Sequence, residues 1–170
     1  RTINGQPIET ATDTLKALSR IKLGGEVLTP SGAPITDYNG IAKIKVFDKN
    51  VQRQTLGNDG VRGTDGSLLI LDYQTLGSGL FNGQATVTNG QFEVEFVVPR
   101  DIAQAVGNGR VSLYSEKNSV FEDQTGFNED IRVGGLDENA PDDNIGPEIQ
   151  LFMNDESFVN GGITNDSPIL

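Results

Sequence analysis

Residues 84–98, QATVTNGQFEVEFVV, constrain the fold more than any other stretch of the chain. Ala85, Val87, Phe92, Val94, Phe96 and Val98 alternate with Gln84, Thr86, Gln91, Glu93, Glu95 and Val97. A period of two sends successive side chains to opposite faces of a strand, so the first set is assigned to a core and the second to water. Asn89-Gly90 sits in the middle. Both residues tolerate the positive φ that a tight primed turn needs, so the segment is expected to form one β-hairpin. Pro99 ends the second arm because it has no N–H to give to a ladder.

The rest of the chain repeats this vocabulary of short strands and turns. Residues 17–28 read as a first strand with a bulge at Gly24-Gly25. Residues 29–40, TPSGAPITDYNG, are a turn-rich loop. In 41–48, IAKIKVFD, Ala42, Ile44, Val46 and Asp48 oppose Ile41, Lys43, Lys45 and Phe47, with Ile44 and Val46 expected inside. Residues 51–56 form a polar edge strand, 57–67 a long glycine-rich loop and 68–74, LLILDYQ, a short apolar strand. Pro99, Ile102 and Val106 suggest one helical turn over 99–106. Strands are expected at 110–116, 131–133 and 148–153, with a long loop over 117–130. About eight short strands at this spacing predict an all-β fold, an immunoglobulin-like antiparallel β-sandwich, with a small closed barrel as the alternative. The expected organisation is an extended segment over 1–13, a sandwich over 14–135, an acidic linker over 136–147 and, over 148–170, strands that pack back or begin a following β domain.

Composition narrows the chemistry. The chain has no Cys and no His, so Ser–His, Cys–His and His-based metal catalysis cannot be carried by its own residues. No disulfide or thiolate metal site can form. The net charge of −11, without a basic stripe, repels a phosphate backbone and argues against nucleic acid as a partner. No run of about 18 apolar residues marks a membrane span. The polar N-terminus lacks a signal pattern, and both ends read as internal cuts of a longer protein.

Several groups carry candidate chemistry. The linker GGLDENAPDDNIGP at 134–147 holds Asp137, Glu138, Asn139, Asp142, Asp143 and Asn144, hard oxygen donors of the kind that suit Ca²⁺. It lacks the D-x-D-x-D-G spacing of an EF-hand, and a solvated linker is the simpler account. Asp59 and Asp65 form a carboxylate pair on a glycine-rich loop; paired carboxylates run glycoside hydrolysis, but a flexible turn accounts for them. Gly107-Asn108-Gly109 looks like a tight turn, not a phosphate loop, because no Lys or long helix follows. Asp123, Glu129 and Asp130 are assigned to surface charge, and Tyr38, Tyr73 and Tyr114 to the edge of the core.

Five stretches carry a family resemblance: DTLKALSRIKLGGEV (13–27), ITDYNGIAKIKVFDK (35–49), NGQATVTNGQFEVEFVVPRDI (82–102), NEDIRVGG (128–135) and GPEIQLFMNDESFVNGGITNDSPIL (146–170). They resemble the β-rich region that follows the catalytic domain in the type IX secretion sortases of the Bacteroidetes, which are gingipain-like cysteine peptidases. The family implies a cell-surface, outer-membrane enzyme on the extracellular side. Such an enzyme cleaves C-terminal sorting domains from secreted cargo and attaches the cargo to anionic lipopolysaccharide through a Cys–His pair. This chain has neither residue, so the resemblance implies a non-catalytic accessory domain, with no cofactor of its own. The implied partners are an upstream peptidase domain of the same chain, an outer-membrane component of the secretion system and cargo sorting domains. The competing reading is a calcium-stiffened spacer or adhesion module of a bacterial surface protein.

Overall fold

In the computed structural model, which describes residues 2–10, 13–141 and 161–162, short strands dominate and no helix is present among the described residues. The chain divides into two compact units, Arg1–Ala140 and Pro141–Leu170. Strands of the first unit are β1 (Thr2–Ile3), β2 (Gln6–Pro7), β3 (Thr14–Ala17), β4 (Arg20–Glu26), β5 (Gly40–Phe47), β6 (Val51–Gln54) and β7 (Asp72–Thr75). They continue with β8 (Gly79–Val87), β9 (Gln91–Val97), β10 (Gly107–Asn108), β11 (Arg110–Lys117), β12 (Asp123–Asn128) and β13 (Arg132–Leu136).

Two four-stranded antiparallel sheets, ordered β2-β1-β4-β9 and β12-β11-β5-β8, form the expected all-β sandwich. A smaller sheet, β10-β13-β3, contains a parallel β13–β3 pair, and β6–β7 stands apart as a two-stranded ribbon. Inward-facing Ile21, Leu23 and Phe96 of the first sheet and Ile44, Val46 and Val111 of the second join one core. Phe81 on β8 stacks on Phe96 on β9 with ring centroids 4.5 Å apart, a contact made between the two sheets.

The segment 84–98 has the expected turn and the expected faces but not the expected pairing. Asn89 and Gly90 adopt φ of 51° and 77°. Thr88 and Gln91 exchange backbone hydrogen bonds of 2.9 and 3.0 Å. Beyond that bridge the arms part, β8 pairing with β5 and β9 with β4. Gly90 donates its N–H to Tyr38 O at 2.7 Å, and a Cβ at this glycine would run into the Ile35 carbonyl. The loop 29–40 therefore grips the turn while the sandwich separates its arms.

Other expectations need correction. The strand over 17–28 is two strands, because Leu18 takes a φ of 67° between β3 and β4. Gly24-Gly25 makes no bulge: both stay in register with Glu93 and Phe92. Their role is space, since a Cβ on Gly25 would meet the Phe92 ring and one on Gly24 would meet Thr2. No helical turn forms over 99–106. The Ala103 N–H goes to Asp48, its carbonyl to Lys49 and the Gln104 carbonyl to the Gly135 N–H, so tertiary partners take the groups a helix would pair internally. The loop over 117–130 contains β12, an edge strand without apolar alternation. The apolar run 68–74 is not a core strand, because Leu68–Leu71 remain exposed. Residues 57–67 close the ribbon with ordered turns, such as Gly63 N–H to Ser67 O at 2.9 Å. The strand expected at 148–153 lies outside the described residues.

Candidate functional site

Three of the carboxylates nominated by sequence, Asp59, Asp65 and Asp137, are used for local turns. Asp59 accepts the Val61 N–H at 3.2 Å. Asp65 accepts both the N–H and the hydroxyl of Ser67, at 3.1 and 2.7 Å. Those bonds favour the ionised carboxyl and hold the Asp65 pKa below its ordinary value, the reverse of what a general acid needs. The pair therefore caps two turns of the ribbon. Asp137 likewise accepts the Asn139 N–H at 3.1 Å, while its own N–H binds Ala17 O at 3.0 Å. Glu138 follows it in the same turn, and Asp142, Asp143 and Asn144 lie outside the described residues. Among the described residues no three acidic side chains gather closely enough to hold a metal ion.

Gly107-Asn108-Gly109 is not a turn: its first two residues form β10, paired with β13. Gly109 allows close approach, for a Cβ there would press on Phe47 O and Val133. Tyr38, in the loop just before β5, belongs to the core, and the Lys117 ammonium lies 5.6 Å from the centre of its ring. Tyr38 is fully buried, and its hydroxyl donates to Ser115 O at 2.9 Å. The Ser115 hydroxyl itself is buried without a partner, beside a hollow of about 150 Å³ whose lining mixes Val27, Leu28 and Leu113 with Glu26, Gln124 and Thr125. With no His in the chain it lacks the usual base of a serine nucleophile. Tyr73 is half exposed on β7.

The outer face of the second sheet is closed by paired charges. Lys43 binds Glu116 at 2.8 Å and lies 5.3 Å from the centre of the Tyr114 ring. Arg110 binds Glu129 at 2.7 Å and covers Phe127 at 4.4 Å. The Lys43 hydrogen bond lowers the Glu116 pKa, and desolvation raises that of Tyr114. Asp123 pairs in register with Glu116, and Asp130 accepts from Asn128 at 3.1 Å. This face binds its own neighbours and presents no reactive group.

Sequence reasoning missed the most enclosed charge pair. Asp48 and Lys49 meet at 2.6 Å with side chains 10% and 19% exposed. The Lys49 ammonium also donates to Ala103 O and Val133 O, each at 3.1 Å. The signal was present: Asp48 falls on the inward phase of the 41–48 alternation. The pair fastens the crossover 99–106 and β13 to the end of β5, directly below the ribbon.

The ribbon is the feature without an internal explanation. Nine of the sixteen exposed large apolar side chains among the described residues lie within 51–76. Leu68, Leu69, Ile70 and Leu71 are consecutive and 39–56% exposed. Leu68 and Ile70 both lie within contact of a Cβ built at Gly57, so these two side chains turn toward that glycine. At the neck, the Asp48 N–H binds Ser78 O at 2.9 Å and Gly77 is packed against the Asp48 and Lys49 carbonyls.

No family model matches the chain, and no curated protein matches it. Among solved structures it is similar to dimeric latent PorU from Porphyromonas gingivalis, with 30% identity and a TM-score of 0.69 over 92% of this chain. The match spans 14% of the PorU chain. The similarity is therefore to a domain-sized part of a much larger protein, and it is a part that here contains neither Cys nor His.

Proposed function

We propose that this chain is a non-catalytic accessory domain of a type IX secretion sortase. The larger polypeptide would be a gingipain-like cysteine peptidase that removes C-terminal sorting domains from secreted cargo and attaches the cargo to anionic lipopolysaccharide at the cell surface. The observation that carries this reading is the PorU match over nearly the whole chain at 30% identity. The absence of Cys and His supports this reading, under which a Cys–His pair would lie outside these residues. The β-sandwich, with ion pairs such as Lys43–Glu116 and Arg110–Glu129 on its outer face, suits a domain that positions others.

The test begins with the complete reading frame. A gingipain-like domain with Cys and His outside these residues is expected; an array of similar β domains without a peptidase overturns the reading. With the peptidase present, deleting this domain from the polypeptide is expected to abolish maturation of cargo in cells while the catalytic residues stay intact. Unchanged maturation would count against a positioning role.

A further inference from the structure

β12 ends the sheet β12-β11-β5-β8, and its register with β11 runs without a shift from Val111↔Asn128 to Glu116↔Asp123. The Lys117 N–H binds Glu122 O at 2.9 Å, so antiparallel alternation commits the backbone groups of Gln124, Gly126 and Asn128 to β11. The N–H and C=O groups of Asp123, Thr125 and Phe127 point away from the sheet and bind no other described residue. Nothing blunts this edge. DQTGFN has no Lys, no Pro and no bulge, whereas β2, at an edge of the first sheet, contains Pro7. We propose that β12 is a strand-addition site for an extended peptide with Lys or Arg on one face and an aliphatic side chain on the other. The inference goes beyond the accessory-domain reading and does not depend on it.

The chemistry of the edge selects the partner. A row of alternating donors and acceptors at strand spacing is completed by another extended backbone, which a sugar or a lipid chain does not supply. The hollow of about 150 Å³ lies beneath the same edge, between the two sheets, with Gly126 on its rim. Gly126 pairs with Leu113, which packs against the core, and a Cβ built at Gly126 meets nothing within 4 Å. The residue of an added strand opposite Gly126 therefore has room to turn its side chain inward. The unpartnered Ser115 hydroxyl lines this hollow, a buried polar atom left for an incoming group. The charge of the partner follows from the surroundings. Glu26 lines the hollow and Asp123 lies on the edge itself. The two cations of β11 are already bound, Arg110 to Glu129 and Lys117 to Asp37 and Glu122. With a net charge of −11, the chain attracts a basic strand and repels an acidic one.

The test titrates the protein with a capped synthetic peptide of alternating Lys and Val, long enough to span the six residues of β12, and follows amide hydrogen exchange. Excess peptide is expected to slow exchange of the Thr125 and Phe127 amides at least about tenfold, with the β5 amides unchanged. Thr125→Pro removes an outward N–H that β11 does not use, and is expected to abolish binding while Tm holds. A peptide of the same sequence with every backbone nitrogen methylated keeps its charge and side chains but cannot donate, and is expected not to bind. Gly126→Leu fills the hollow from β12 itself and is expected to weaken binding at least about tenfold. Unchanged exchange with the peptide in large excess overturns the proposal. So does binding that survives N-methylation or Thr125→Pro, which means attraction to charge alone. Gly126→Leu without effect overturns the assignment of the hollow to an incoming side chain. Protection of Thr125 and Phe127 that appears without peptide and grows with protein concentration also overturns the proposal and assigns the edge to a second copy.

Discussion

Replacing Lys49 by Met tests whether the Asp48–Lys49 pair holds the domain together below the ribbon. The substitution keeps the aliphatic stem and removes the ammonium. Three acceptors then lose their donor: Asp48 Oδ1 at 2.6 Å and the carbonyls of Ala103 and Val133 at 3.1 Å. Removing one member of a well-buried pair costs about 3–5 kcal/mol, because the other charge is left without compensation. The low end applies here, since the Lys49 side chain is 19% exposed and Asp48 keeps the Lys49 N–H at 2.8 Å. The expected loss is therefore about 3 kcal/mol, or a fall in Tm of about 10 °C for a domain of this size. Urea unfolding measures it, with Asp48→Asn and the double substitution completing a thermodynamic cycle. The double variant should lose less than the two single losses added together, because removing both charges leaves neither stranded. A Lys49→Met loss below about 1 kcal/mol, or strict additivity, would refute the idea that this pair, and not the surrounding apolar contacts, fastens the crossover.

Tyr38→Phe removes the donor to the buried Ser115 carbonyl and should cost about 1–3 kcal/mol by the same urea assay; a neutral result would mean that the carbonyl finds another partner. Cutting out 51–76 and joining Asn50 to Gly77 should leave Tm unchanged or raise it slightly, since none of those side chains belongs to the core and a shorter closed loop loses less entropy. A loss above about 2 kcal/mol would make the ribbon part of the sandwich after all. Stability should be flat from about pH 5.5 to 9, because no His is present to titrate. The contribution of Glu116, whose pKa Lys43 lowers, is complete above 4.5 and is lost as pH falls through its depressed value. Those of Lys117, raised by Asp37, and Lys22, raised by Glu93, are complete below 10.5 and are lost as pH rises through their elevated values. A Tm that changes steeply between pH 6 and 8 contradicts this.

Local chemistry was legible wherever a residue's own backbone decides the outcome. Asn89-Gly90 announced a turn with positive φ, and the alternation of 41–48 and 84–98 assigned every inward side chain correctly. Partner choice was not legible, because hydrogen bonding across strands is made with residues far along the chain: β8 joins β5, and β9 joins β4. A tight turn between two alternating segments describes a hairpin and a crossing between sheets equally well. β12, DQTGFN, was invisible because an edge strand that buries little needs no apolar rhythm. The crossover 99–106 defeated the helix expectation through Asp48 and Lys49, whose carboxylate and ammonium capture its backbone groups.

The run Leu68–Leu71 shows where sequence and fold part. Read by composition alone it is core, and every physical rule that assigns apolar runs to an interior is sound. The domain nevertheless closes its core without these residues and leaves them outside, on a ribbon whose neck is held by one of the best-satisfied charges in the structure. A chain that is only 35% hydrophobic gains no stability from exposing four such side chains, and an uncovered apolar edge invites aggregation. Internal folding therefore supplies no reason for the run. Burial against a surface outside the domain would supply one, because a contiguous exposed apolar run of this kind marks an interaction surface more often than a stabilising feature.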